Sequence, residues 1–144
     1  MQKRNLDKLQ YAMRSLDDAL KYTRSGEFQE LGIEFKGILI SAVVQNFNLT
    51  FAVCRKMIAQ QLSEILGKDA VQDKTPAELF QMAAKERIIT NPNRWQEYLD
   101  CEHLSPLSNL SLRTFERASA FLVDAAELLN TCVQRSQNER RRAA

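Results

Sequence analysis

Residues 33–66 read IEFKGILISAVVQNFNLTFAVCRKMIAQQLSEIL, and this stretch decides the fold. Apolar side chains recur along it at helical spacing, and Gly67 follows directly, as expected at a helix end. The apolar residues occupy more than one face, so we expect neighbouring helices to cover this helix on several sides. Its longest uncharged part, residues 37–54, contains serine, glutamine, asparagine and threonine, which argues against a membrane span.

Two further long helices are predicted on either side of it. Leucine and methionine side chains spaced three and four apart indicate a helix from Asn5 to about Arg24. The same spacing near the end of the chain indicates a helix from about Asn109 to Gln134. On this second helix the pattern places Leu122 on the inner face.

Between residues 66 and 109 the sequence predicts a polar loop and two short helices. The loop covers residues 68–74. Thr75-Pro76-Ala77-Glu78 is a capping box with proline at the first helical position, so a helix should begin there and reach about Glu86. Asn91-Pro92 begins a second short helix that extends to Glu102.

These elements predict an all-α protein. Four glycines and three prolines in 144 residues leave few turn positions, and no segment alternates in the manner of a strand. Short connections favour an up-and-down four-helix-type bundle, in which three long helices occupy three positions and the two short helices share the fourth. We expect one domain over residues 1–134, followed by a basic, frayed tail at residues 135–144.

Charge and cysteine content limit the possible functions. The tail carries a net charge of +3, whereas the whole chain carries +2. The rest of the chain therefore carries −1 and gives no sign of a nucleic-acid surface. Cys54, Cys101 and Cys132 are odd in number and widely spaced, as expected for buried thiols in a reducing compartment. No signal peptide is visible, so we expect a cytoplasmic protein without a membrane anchor.

Groups able to catalyse a reaction are scarce. His103 is the one histidine, and Cys101, two residues away, points in a different direction if both lie on a helix end. No phosphate-binding glycine loop and no cysteine or histidine cluster with metal-ligand spacing is present in the sequence. We therefore expect no catalytic residue, metal ion or cofactor.

An uncharged polar stripe on the longest helix is the best candidate for a binding surface. It is formed by Ser41, Gln45, Asn48 and Ala52. Solvent-facing helix surfaces normally carry lysine and glutamate, whereas interfaces are depleted in charge. The stripe is therefore either an interface or a set of amides satisfied inside the bundle.

The end of the second short helix is acidic. Glu97 and Glu102 lie where carboxylates oppose the helix dipole. This arrangement indicates either a functional site or, as we favour, ion pairs with Arg113 or Arg117.

Residues 45–56, QNFNLTFAVCRK, resemble the central helix of the nucleotidyltransferase substrate-binding protein family, small helical proteins of the wider HEPN group. The family's helix typically reads Gln-Arg-Phe-Glu-Phe-Thr-x-Glu-Leu-Ala-Trp-Lys. The matching positions are Gln45, Phe47, Thr50 and Lys56. A proline-initiated short helix and a Trp-x-x-x-Leu helix also match, through Thr75-Pro76, Trp95 and Leu99. The resemblance extends over about residues 5 to 133.

The chain departs from the catalytic members of the HEPN group. Their ribonucleases use an arginine and a histidine four to six residues apart, whereas here Glu102 stands in the place of the arginine and no histidine follows at that spacing. The tyrosine that some partner enzymes nucleotidylate has Ser108 or Asn109 in its place. The resemblance therefore implies a protein that is not an enzyme.

The resemblance further implies a homodimer that supplies one wall of a substrate cleft to a separate minimal nucleotidyltransferase, acting in trans. A HEPN-type ribonuclease toxin and a helical scaffold for another protein are the alternatives. The candidate interface or cleft residues are Ser41, Gln45, Asn48, Ala52, Trp95, Glu97, Glu102 and His103.

Overall fold

The computed structural model describes residues 3–102 and 111–143, and within these ranges the chain forms helices and turns but no strand. The helices are α1 (Lys3–Thr23), α2 (Gly26–Gln29), α3 (Ile33–Leu66), α4 (Lys68–Val71), α5 (Pro76–Lys85), α6 (Pro92–Glu102) and α7 (Ser111–Ala143). The all-α class is confirmed, and α3 has the bounds that its sequence predicts.

The long helices pack in an up-and-down arrangement around α3, which contacts α1, α5, α6 and α7. Asn5 Nδ2 donates to Gln60 Oε1 at 2.8 Å, joining the start of α1 to the last part of α3. Arg24, just after α1, hydrogen-bonds Ser119 in the first part of α7. Both α3 and α7 therefore run antiparallel to α1, and the short helices α5 and α6 pack on each other to complete the bundle.

An aromatic cluster forms the centre of the core. Its rings come from α3, α5, α6 and α7, and their centroids lie 4.7–6.5 Å apart. The members are Phe47, Phe51, Phe80, Trp95, Tyr98 and Phe121, each at most 2% exposed. Most of the ring pairs are tilted or edge-to-face, arrangements that stabilise by about 0.5–1.5 kcal/mol beyond the burial of apolar area.

The middle of α3 is covered on several sides as predicted, but its N-terminal end is not. Ile33, Phe35 and Ile38 are 90%, 62% and 63% exposed. By length and composition alone α3 could cross a membrane, since an 18-residue window within it has a mean hydropathy of 1.6. In this structure 33% of that window is buried. The core helix of a globular protein passes the same test, and α3 packs against α1, α4, α5, α6 and α7 here.

The predicted helix starts are confirmed at both proline-containing caps. Thr75 Oγ1 accepts a hydrogen bond of 3.2 Å from the Glu78 amide, and Asn91 Oδ1 accepts one of 3.3 Å from the Arg94 amide. Residues 68–74 were predicted as a loop, but they contain the single turn α4. Gly67 permits it, because its φ of 90° turns the chain where α3 ends.

Helix α7 continues to Ala143, well past its predicted end near Gln134. Arg135 lies on this extension, and its Nη2 donates to the Glu86 carbonyl at 2.9 Å, so the first residue of the predicted tail contacts the end of α5. Three arginines in the last turn favour helix over fraying, because they lie at the negative pole of the helix dipole. The division into a domain ending at residue 134 and a tail stays a prediction.

Candidate functional site

The uncharged stripe lies along the surface of α3. Gln45 and Ala52 are exposed, and Ser41 and Asn48 are half-buried. The Oδ1 atom of Asn48 is buried and has no hydrogen-bond partner among the residues described. A buried acceptor without a donor costs about 1–3 kcal/mol, so this atom is a local cost to the fold.

An ion pair follows the stripe one turn further along α3. Arg55 Nη1 donates to Glu102 Oε2 at 2.6 Å, which joins α3 to the last residue of α6. The Arg55 guanidinium also lies 6.0 Å from the centre of the Phe51 ring. Glu102 therefore pairs with Arg55 rather than with Arg113 or Arg117, because α3 is the neighbour that its side chain reaches.

The predicted pairing is confirmed for Glu97, whose Oε2 lies 3.5 Å from Arg117 Nε on α7. The carboxylate is about half exposed, so this pair contributes little to stability. His103, the remaining candidate at this end of the bundle, lies outside the described residues.

Trp95 is a core residue and cannot line a surface of this chain as it stands, which corrects its assignment as a cleft candidate. Its side chain is 2% exposed and packs within about 6 Å of Phe51, Phe80, Tyr98 and Phe121, measured between ring centres. A Trp-x-x-x-Leu pattern on a helix that faces a bundle places the tryptophan in the core.

A buried aspartate on α7 was not among the candidates. Asp124 is 3% exposed and binds Arg94 twice, with Nε to Oδ2 at 3.0 Å and Nη2 to Oδ1 at 2.5 Å. The Tyr98 hydroxyl donates to the same Oδ2 at 2.5 Å. The available signal was an aspartate within the largely apolar run FLVDAAELL of residues 121–129.

The electrostatics of this cluster favour a fixed arrangement of charge over proton transfer. Burial raises the pKa of Tyr98 well above its usual value of 10.0, and the hydrogen bond to Asp124 adds to the effect. The same carboxylate raises the pKa of Arg94, mainly through its hydrogen bonds. Both groups therefore stay protonated at neutral pH, and their hydrogen bonds to Asp124 tie α6 to α7.

A groove opens on the side of α3 that faces α1 and α5. It consists of two adjoining cavities of about 520 and 690 Å³, which share Lys8, Leu49 and Val53 among their lining residues. Its floor is apolar and its rim carries several lysines and arginines. Ala52, the last residue of the uncharged stripe, lines the smaller cavity.

Within residues 3–102 and 111–143, no group of three or more histidine, cysteine or acidic side chains is arranged to hold a metal ion. The three cysteines are free and buried. Burial raises the pKa of Cys132 to about 12, and that of Cys54 further still, so neither thiol ionises near neutral pH.

Comparison with known proteins identifies relatives of this bundle. The chain matches the family described as nucleotidyltransferase substrate binding protein like over residues 4–134. It is similar in structure to HI0074 of Haemophilus influenzae, reported to reveal the fold of a substrate binding domain of a nucleotidyltransferase. The TM-score is 0.80 at 18% identity, covering 87% of this chain and 96% of that one. No curated protein matches. Because the family match spans most of the bundle, the chain belongs to the nucleotidyltransferase substrate-binding protein-like family.

Proposed function

We propose that this protein is a non-catalytic, homodimeric partner that provides part of a substrate-binding cleft to a separate minimal nucleotidyltransferase in the cytoplasm. The family match over residues 4–134 carries the proposal, because that family is described as nucleotidyltransferase substrate binding protein like. The fold shared with HI0074 supports it. Free, buried cysteines fit a reducing compartment.

The state of the charged groups supports a role in binding rather than in chemistry. The two strongest arginine–carboxylate contacts, Arg55 with Glu102 and Arg94 with Asp124, use these side chains to join helices. Burial raises the pKa of the Cys54 and Cys132 thiols, so these two stay protonated. These arginines, carboxylates and thiols therefore serve the packing of the bundle.

The surface of α3 supports a homodimer. Gln45 and Ala52 are exposed on one uncharged face of the helix, which a second copy could cover. The uncovered N-terminal end of α3 adds Ile33, Phe35 and Ile38, apolar area of the kind that protein interfaces bury.

The partner assignment is tested by co-expressing the protein with a minimal nucleotidyltransferase encoded beside its gene. We expect the two to co-purify, and we expect Glu97→Lys combined with Glu102→Lys to weaken the complex while helical circular dichroism is retained. Glu27→Lys combined with Glu30→Lys reverses two exposed acids elsewhere and is the matched control. If both double variants weaken the complex equally, this end of α6 is not part of the interface. Absence of any complex at micromolar concentration would contradict the partner assignment.

The non-catalytic assignment is tested with mixed RNA, with and without a divalent metal ion. We expect the RNA to remain intact, since the arginine–histidine spacing of HEPN ribonucleases is absent from the sequence. Cleavage that accompanies the protein through several columns and disappears in His103→Ala would instead support the toxin alternative.

A further inference from the structure

We propose that the groove between α1, α3 and α5 is a binding site for a small organic anion, a molecule with a flat apolar body and one phosphate, sulfonate or carboxylate group. This goes beyond the proposed function, because the groove is complete in one copy of the chain and requires no nucleotidyltransferase.

The size of the groove is appropriate for such a ligand. Small-molecule sites are concave and typically enclose about 300–1,000 Å³. The smaller cavity, of about 520 Å³, lies within that range and shares Lys8, Leu49 and Val53 with the larger one. Three separate helices contribute its walls, so the backbone that shapes it is held by the bundle rather than by a loop.

The floor is suited to an apolar body. Leu49 is 64% exposed although it lies near the middle of the core helix, and it lines both cavities together with Val53. Ala59 and Leu79 extend this surface in the smaller cavity, and Tyr11 stands 75% exposed at the wall of the larger one. Covering exposed Leu49 and Tyr11 would remove apolar area from water and would favour binding.

The rim is suited to a negative charge. The residues lining the smaller cavity include Lys8, Arg55 and Lys56 and no acid. The larger cavity adds Lys3 and Arg4, against the single carboxylate of Asp7. Arg55 is neutralised by Glu102, but among the described residues neither Lys8 nor Lys56 forms an ion pair. Lys8 of α1 and Lys56 of α3 therefore line the same groove, and neither has an ion-pair partner within the part of the chain that the structure describes.

The test uses two probes that differ in charge. 1-Anilinonaphthalene-8-sulfonate has an aromatic body and a sulfonate, and N-phenyl-1-naphthylamine has the same body without it. We expect calorimetry to show saturable binding of the sulfonate probe to the folded chain. Lys8→Gln combined with Lys56→Gln should raise the dissociation constant of the sulfonate probe about fivefold or more and leave that of the neutral probe unchanged.

Control variants distinguish this groove from other surfaces. Lys68→Gln combined with Lys85→Gln removes two exposed lysines that do not line the groove, and sulfonate binding should be unaffected. Leu49→Gln should weaken the binding of both probes. Ile38 is about equally exposed on the same helix, and Ile38→Gln should weaken the binding of neither probe. The proposal is overturned if the sulfonate probe does not saturate, if both lysine pairs behave alike, or if Ile38→Gln has the larger effect.

Discussion

The Arg94 guanidinium holds the buried Asp124 carboxylate with two hydrogen bonds, of 3.0 and 2.5 Å, while its own side chain remains 45% exposed. The charge of Asp124 is thereby compensated from the edge of the core, and Tyr98 satisfies the carboxylate from inside. This arrangement fixes the position of α6 against α7. Helix α6 also carries the candidate residues Glu97 and Glu102.

Asp124→Ala should destabilise the fold by about 3 kcal/mol, measured by urea unfolding. The substitution leaves the buried Tyr98 hydroxyl without its acceptor and Arg94 without its partner. Arg94→Ala should also destabilise the fold, because it leaves the buried Asp124 carboxylate without its counter-charge. Glu116→Ala, which removes an exposed acid elsewhere on α7, is the control. A change below about 0.5 kcal/mol for Asp124→Ala would contradict a stabilising role.

Stability should fall at alkaline pH through Tyr98. Its pKa is raised in the folded protein, so the folded state holds the phenolic proton more tightly than the unfolded state does. The resulting stabilisation is fully present below the unfolded pKa of about 10 and is lost progressively as the pH rises above it. Tyr98→Phe should flatten this decline in unfolding experiments between about pH 9 and 11. An identical slope in both proteins would show that another group is responsible.

Gln45→Glu should weaken the proposed dimer. A two-fold contact between copies of α3 would bring two new negative charges close to each other, at a cost of about 1–3 kcal/mol if both are desolvated. Analytical ultracentrifugation measures the effect as an increased dissociation constant. Gln81→Glu makes the same change at an exposed position of α5 and should leave the dimer intact. A wild-type monomer at high concentration, or an unchanged dimer in Gln45→Glu, would contradict the assignment.

The sequence predicts the helices well where local chemistry sets their ends. Gly67 ends α3, and the Thr75 and Asn91 caps begin α5 and α6, as expected. The end of α7 was missed because an arginine-rich turn is compatible with either helix or tail. For Arg135, the first residue of the predicted tail, the contact with Glu86 favours the helix, and this contact cannot be read from the sequence.

The orientation of α7 shows a limit of periodicity. Leu122 was predicted to face inward, but its neighbour Phe121 is fully buried and Leu122 only partly so. Adjacent apolar residues fit two rotations of the helix equally well. Asp124 decides between them, because its bonds to Arg94 and Tyr98 require it to face the core. A hydrophobic pattern counts an aspartate as exposed, so this residue was also missed as a site candidate.

The burial of Trp95 makes the chain its own fluorescent reporter. It is the single tryptophan of the sequence, and it contacts rings contributed by α3, α5, α6 and α7. Its emission should be blue-shifted only while these four helices are assembled. Loss of that shift would reveal partial opening of the short-helix pair even where circular dichroism, which averages over all helices, records almost no change.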